Sequence, residues 1–360
     1  MTASALPAPA ASTPLPLSWP SAARHAAFED WAARITDPAG LRWDTLAPAS
    51  ADASFRRYLR VQGTDGSYIV MDAPPAAEDV RPFVKVAALI QAAGLHAPRV
   101  LAADEAQGFL LLTDLGHELY LDALREPARA DALMRDALQA LLQWQLKVPA
   151  ASLPVFDEAQ LRAELALFPE WCVQREFQVD WTARQQATWQ QLCDRLVASA
   201  LAQPRVAVHG DWMPRNLMVC PGRNPGILDF QDAVNGPVTY DLACLLRDAF
   251  ISWDEAQELD WAVRWWQQAR AAGVPLGQAL AADFGDFWRA LEWMGLQRHL
   301  RVMGIFCRLK HRDGKSHYAD DLPRFFDYAT RVSMRYAPLK PLLGLLEPLS
   351  GQRLSSGFTF

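Results

Sequence analysis

The sequence predicts an α+β fold in which a small β-rich N-terminal lobe precedes a larger, mostly helical C-terminal lobe. Three observations predict it. Between Arg57 and Thr113, period-two runs alternate with a helical stripe; from Pro127 onward, apolar residues recur at helical spacing; and one β-rich island, Val206 to Phe230, interrupts the helical part.

Each element has a local reason. Residues 1–23 are rich in Ala, Pro, Ser and Thr, without a basic start or a compact apolar centre, and read as a disordered leader rather than a signal peptide. Ala22 to Thr36 follows with helical spacing, Phe28, Trp31 and Ile35 falling on one side. Arg57 to Val61 and Ser67 to Met71 alternate as two strands, joined across Gln62 to Gly66 by hairpin-type turn residues. Pro82 starts and Gly94 stops a helix whose apolar stripe is Phe83, Val86, Ala87 and Ile90. Arg99 to Ala103 and Phe109 to Thr113 form a second strand pair. The lobes are expected at 24–113 and 114–350, with 114–120 as connector and 351–360 as a tail.

Within the helical part, Leu133, Leu138, Leu141 and Leu142, then Trp189, Leu192 and Leu196, then Trp261, Trp265 and Trp266 mark successive helices, ending in a rich run from Phe287 to Leu309. The island holds strands at Val206–His209, Leu217–Cys220 and Gly226–Phe230, with Pro221 to Pro225 as a turn.

Composition narrows the function classes. A net charge of −6 lacks the basic excess that wrapping nucleic acid requires. No apolar run reaches the roughly 18 residues that suggest a spanning helix. The five cysteines are widely separated within apolar runs, so neither a disulfide framework nor a zinc site is expected. A cytoplasmic protein with no nucleic acid or membrane partner is the resulting expectation, and a monomer is expected.

The chemistry is concentrated in the island. His209-Gly210-Asp211-Trp212-Met213-Pro214-Arg215-Asn216 matches the catalytic loop H-R-D-x-x-x-x-N of kinases, with Gly in place of Arg. In that pattern the Asp accepts the acceptor hydroxyl's proton and the Asn reaches a magnesium ion, roles that fall on Asp211 and Asn216. Ile227-Leu228-Asp229-Phe230 ends an apolar strand in a carboxylate, a second hard oxygen ligand for Mg²⁺ beside the phosphates of ATP. A base for a hydroxyl plus oxygen ligands for a divalent cation is what phosphoryl transfer requires. Asp241 reads first as the N-cap of a helical run from Leu242 to Phe250, a place compatible with holding the loop backbone. His209 reads as a structural histidine behind the loop.

At these residues the chain resembles the aminoglycoside phosphotransferase-like family, over about residues 24 to 345. The resemblance implies a protein-kinase-like bilobal fold and ATP-dependent phosphorylation of a hydroxyl. Within that superfamily, Ser54-Phe55-Arg56-Arg57-Tyr58, Val70-Met71-Asp72-Ala73-Pro74-Pro75, Asp229-Phe230-Gln231-Asp232-Ala233 and Leu246-Arg247-Asp248-Ala249-Phe250 are similar to the anomeric kinases of cell-wall amino sugars. The implied acceptor is the C1 hydroxyl of N-acetylmuramate or N-acetylglucosamine in peptidoglycan recycling. The resemblance gives Ser54 and Phe55, with Arg56 and Arg57, the place of the nucleotide-covering turn, and Thr113, Asp114 and Leu115 that of the hinge offering backbone hydrogen bonds to adenine.

One departure stands out. Met71 occupies the position of the phosphate-binding lysine, so Arg56, Arg57 and Arg60, or less directly Lys85, are the candidates to supply positive charge, although arginines flanking a hairpin are commonly just solvated. For the acceptor, Arg215, Arg247, Glu170, Trp171, Trp212 and Gln231 are candidates, a sugar acid calling for a cation and an aromatic surface. With 14 tryptophans in the chain, most must be packing residues. Two rival readings are a kinase of the same fold for an aminoglycoside, choline or homoserine, and a non-catalytic nucleotide-binding scaffold.

Overall fold

The computed structural model describes residues 17–35, 40–49 and 56–350. Ser54 and Phe55, most of the expected leader and the tail lie outside them. Two compact units result: the residues up to Ala88 with Pro98–Leu115, and Leu89–Ala97 with the residues from Gly116 on.

In the first unit, α1 (Ala22–Arg34) precedes β1 (Arg42–Pro48), β2 (Arg57–Gly63) and β3 (Gly66–Asp72); α2 (Arg81–Ala92) follows, its residues from Leu89 on counted with the second unit, then β4 (Val100–Asp104) and β5 (Phe109–Thr113). The strands form one antiparallel sheet in the order β1-β2-β3-β5-β4. Both expected hairpins are present, and β1 adds an edge strand that weak alternation concealed. Leu59, Val61, Val70, Phe109 and Leu111 point from the sheet onto Phe28 and Trp31 of α1. Burying each such side chain contributes about 1.5–3 kcal/mol. Leu17 and Trp19 pack on the same cluster, and Trp19 stacks on His25 with ring centroids 5.1 Å apart. The last residues of the expected leader are therefore part of the core, because Trp19 has an apolar face to bury.

The second unit begins with α3 (Tyr120–Ala123) and α4 (Pro127–Lys147), then α5 (Glu158–Leu167), which runs on into a π-helical segment, Phe168–Glu176. Next come α6 (Ala183–Leu201), β6 (Arg205–Val208), β7 (Leu217–Met218), β8 (Gly226–Ile227) and β9 (Val234–Pro237). The helices α7 (Tyr240–Leu246), α8 (Glu255–Ala272), α9 (Gly277–Ala282), α10 (Phe284–Asp313), α11 (Leu322–Arg335) and α12 (Leu343–Ser350) complete it. Asp157 and Thr182 start α5 and α6 with reciprocal capping boxes to Gln160 and Gln185, and Gly273 and Gly314 stop α8 and α10 in the left-handed conformation. β7 pairs antiparallel with β8, Leu217 opposite Ile227, as the island pattern predicts. β9 pairs with β6, closing the island with a strand that Val234-Asn235-Gly236-Pro237 does not announce.

The 30-residue α10 is the spine of this unit, and Gly304 sets how closely it approaches α5. A Cβ there would stand 2.5 Å from the Leu167 backbone carbon. Gly304→Ala is expected to destabilise the protein by about 1–3 kcal/mol through overpacking. Urea unfolding measures it, and a change below about 0.5 kcal/mol would show that α5 and α10 have room to separate.

Candidate active site

The loop after β6 is held from behind before any functional group is considered. Gly210 has φ +94°, a conformation that a side chain disfavours, which is a physical reason for Gly where the kinase pattern has Arg. The buried Asp241 carboxylate accepts the His209 N–H at 2.7 Å and the Gly210 N–H at 3.0 Å. Burial pushes that carboxyl up to about 6, against the pull of His209 and of the two N–H donors. Asp241 is thus not the N-cap. Thr239 occupies that position, and Asp241 lies within the first turn of α7 with its side chain turned to the loop.

His209 ties this loop to the next strand. Its Nε2–H donates to the Leu228 carbonyl at 2.9 Å, which leaves Nδ1 to accept the Asp211 N–H at 3.3 Å. Trp212 is fully buried, its ring edge-on to His209, so it packs the loop rather than facing an acceptor. Asn216 donates from Nδ2 to the Asp211 carbonyl at 3.0 Å, and its own carbonyl accepts the Leu228 N–H at 2.9 Å. The residue after Leu228 is Asp229, held at φ +59°, where Asp is tolerated better than most side chains. Its Oδ1 accepts from Gln231 at 3.0 Å. Asp211, Asn216 and Asp229 are therefore joined through one backbone web.

Asp211 opens onto a cavity of about 240 Å³ in this unit, lined also by Asp229, Gln160, Glu164, Tyr240 and Arg301. Two arginines of α10 face the Asp211 Oδ1, Arg298 at 3.7 Å and Arg301 at 3.9 Å. Arg298 is 1% exposed, and its Nε and Nη1 have no hydrogen-bond partner among the described residues, so its charge is directed at the loop from within the core. Arg301 also pairs with Glu164 of α5, Nε to Oε1, at 3.0 Å. Burial pushes the Glu164 carboxyl up to about 7, against the neighbouring Arg301 guanidinium and helped by the Asp211 carboxylate.

Other expected residues lie elsewhere. Arg247 is not available to a ligand: it is 1% exposed and bonded to Glu258 at 3.1 Å and Glu292 at 2.8 Å. Two buried carboxylates demand a cation, and Arg247 meets that demand. Glu170 and Trp171 fall on the π-helical segment and do not line the cavity; the Arg175 guanidinium lies 5.3 Å from the Trp171 ring. Arg215 lies over Phe250 at 5.0 Å. In the first unit Arg56 pairs with Glu78, Arg57 with Asp72, and Arg60 with Asp114, so each candidate for the missing lysine is engaged by a carboxylate. Met71 is fully buried. Thr113 exchanges hydrogen bonds with Arg99, N–H to carbonyl at 3.0 Å and N–H to hydroxyl at 2.9 Å, while the Asp114 carboxylate accepts from Ser67 at 2.6 Å; Leu115 ends this unit.

Sequence reasoning missed Glu164, Arg298 and Arg301. The available signal was charge inside the apolar run of α10, with Arg298 and Arg301 one helical turn apart on one face.

A model of the phosphotransferase enzyme family matches residues 45–276. The N-acetylmuramate/N-acetylglucosamine kinase of Pseudomonas aeruginosa is 54% identical over 304 residues, which cover 84% of this chain and 88% of that protein. The protein of the same name from Neisseria meningitidis serogroup B is 48% identical over 320 residues, 88% of this chain and 94% of its own. Among solved structures, a choline kinase from Streptococcus pneumoniae matches with a TM-score of 0.59 at 11% identity, covering 84% of this chain and 98% of its own, which is a likeness of fold.

Proposed function

The chain belongs to the phosphotransferase enzyme family, and from that premise we propose that it transfers the γ-phosphoryl group of ATP to the C1 hydroxyl of N-acetylmuramate or N-acetylglucosamine. The observation that carries the acceptor is the identity of 48–54% to kinases named for these two sugars, spread over most of both chains. The lining of the Asp211 cavity agrees with it. Carboxylate, amide, phenol and guanidinium groups converge there, which suits a hydroxyl-rich acceptor better than the aromatic cage that a quaternary ammonium prefers.

In this reading Asp211 accepts the proton of the acceptor hydroxyl as its oxygen bonds to the γ-phosphorus and the bond to the β,γ-bridging oxygen breaks. ADP leaves, and the product is a sugar 1-phosphate. Asn216 and Asp229 would hold Mg²⁺. Among the described residues no group of three or more His, Cys, Asp or Glu forms a cage, and two oxygen donors suit an ion that takes its remaining ligands from phosphates and water. Bound there, Mg²⁺ supplies neutralisation of phosphate charge. No helix among the described residues is long and apolar enough to cross a membrane. We read the enzyme as working in the cytoplasm, where ATP is available, to return cell-wall amino sugars to metabolism.

The test is ATP turnover with N-acetylmuramate, N-acetylglucosamine, choline and an aminoglycoside. Turnover with the two amino sugars, yielding an acid-labile anomeric phosphate, is expected; turnover with choline or the aminoglycoside alone would overturn the proposal. Asp229→Asn is expected to raise the Mg²⁺ concentration for half-maximal rate by roughly 10–100-fold. An unchanged Mg²⁺ titration would remove Asp229 from the metal.

A further inference from the structure

Within the Asp211 cavity, Glu164 carries an anomaly. Its Oε1 forms an ion pair with the Arg301 Nε at 3.0 Å, but Oε2 is buried and has no donor among the described residues. A buried carboxylate oxygen without a donor is costly, and in a native protein it needs an explanation. The side chain keeps 18% of its surface exposed and lines the cavity, and the terminal carboxylate torsion is soft, so a modest rotation presents Oε2 to a group entering from that side. Arg301 brings complementary chemistry. Its guanidinium has five N–H donors; Nε faces Glu164 Oε1 at 3.0 Å and Nη1 faces Asp211 at 3.9 Å, both as ion pairs rather than hydrogen bonds.

We infer that Glu164 and Arg301 together read a ring hydroxyl of the acceptor sugar, Glu164 receiving its proton in a hydrogen bond and Arg301 donating to its oxygen. The assignment rests on the function proposed above. A hydroxyl is both donor and acceptor, so an adjacent carboxylate and guanidinium satisfy it completely, and neither side chain alone can do so. The oxygen at C3 is an ether in N-acetylmuramate and a hydroxyl in N-acetylglucosamine. A group serving both sugars must therefore be at C4 or C6, across the ring from C1 or beside it. Because Arg301 touches both Glu164 and Asp211, the same guanidinium sets the ring relative to the carboxylate that meets C1. The carboxyl of Glu164 lies near neutrality in its titration, which lightens the cost of holding it beside Asp211 before the sugar enters.

The experiment compares wild type with Glu164→Gln, which preserves the side-chain shape and a carbonyl oxygen, using both sugars and the 4-deoxy and 6-deoxy forms of N-acetylglucosamine. Expected are a KM for both natural sugars raised about 10–100-fold, kcat within a few-fold and KM for ATP unchanged. One of the two deoxy sugars should show the raised KM already with wild type, and no further rise with the variant. Unchanged sugar KM values overturn the assignment, as does a fall in kcat alone, which would mean that Glu164 acts through Arg301 on Asp211. If the variant lacks a cooperative melt, wild type decides: equal KM values for N-acetylglucosamine and both deoxy sugars overturn it, and a selective rise for one supports it. A wild-type protein that phosphorylates neither sugar overturns the proposed function and this assignment together, whereas an active wild type with an indifferent variant overturns this assignment alone.

Discussion

Asp211→Asn is expected to lower kcat by about 10²–10⁴-fold while leaving the KM for ATP within a few-fold. The amide keeps the size of the carboxylate but cannot take the acceptor's proton. The loop should keep its shape, because its position depends on the Asp241 carboxylate and on His209, both of which bond to loop backbone and not to the Asp211 side chain. The variant also leaves Arg298, already buried with two nitrogens unpartnered among the described residues, without the carboxylate it faces at 3.7 Å, so a modest loss of stability should accompany the loss of rate. Steady-state kinetics with varied ATP and varied sugar, beside a thermal melt, separates these effects. Turnover within tenfold of wild type would take the base away from Asp211.

Arg247→Met is expected to destabilise the second unit by about 3–5 kcal/mol, although the side chain touches no acceptor. Arg247 is the shared cation of a buried cluster. Glu258 also meets Arg331 at 3.4 Å, and Glu292 also meets Arg335 and the Tyr336 hydroxyl, each at 2.5 Å. Those secondary partners hold the cost towards the lower end of that range. Burial already raises the Glu258 carboxyl above its usual value against the pull of Arg247 and Arg331, and removing Arg247 raises it further. The sign for pH follows: a carboxyl whose folded pKa is raised favours the folded state most below the unfolded value, and that contribution is lost as pH rises through the folded value. The deficit of the variant should therefore narrow as pH falls from 7 towards the ordinary glutamate range of about 4.3. Urea unfolding at both ends of that interval provides the measurement. A loss under about 1 kcal/mol at neutral pH would show that Arg331 and Arg335 suffice.

These two residues divide what could be read without coordinates. Asp211, Asn216 and Asp229 lie on one short hairpin island, where spacing along the chain is nearly spacing in space; the turn between β7 and β8 leaves little freedom about which residues meet. The same local logic holds for the hairpins at Arg57–Asp72 and Val100–Thr113, whose period-two alternation and turn residues are properties of adjacent positions. The C-terminal helices were likewise legible from apolar periodicity. So the chain alone determined the lobe order, the helical character of the second lobe and the loop on which the chemistry rests.

Tertiary structure decided which charges serve that loop and which serve the core. Arg247 looked available as a cation for a sugar acid, yet Glu258 and Glu292 approach it from α8 and α10, and no pattern along the chain reports that meeting. No local pattern ties Glu164, Arg298 and Arg301 to the loop; in the fold α10 packs closely on the end of α5 at Gly304, and Arg298 and Arg301 face Asp211. Asp241 looked like a cap until its side chain proved to hold two loop N–H groups. The physical reason is common to all of them. Secondary structure and loop motifs arise from contacts a few residues apart, whereas the value of a charge depends on burial and on partners set by helix packing.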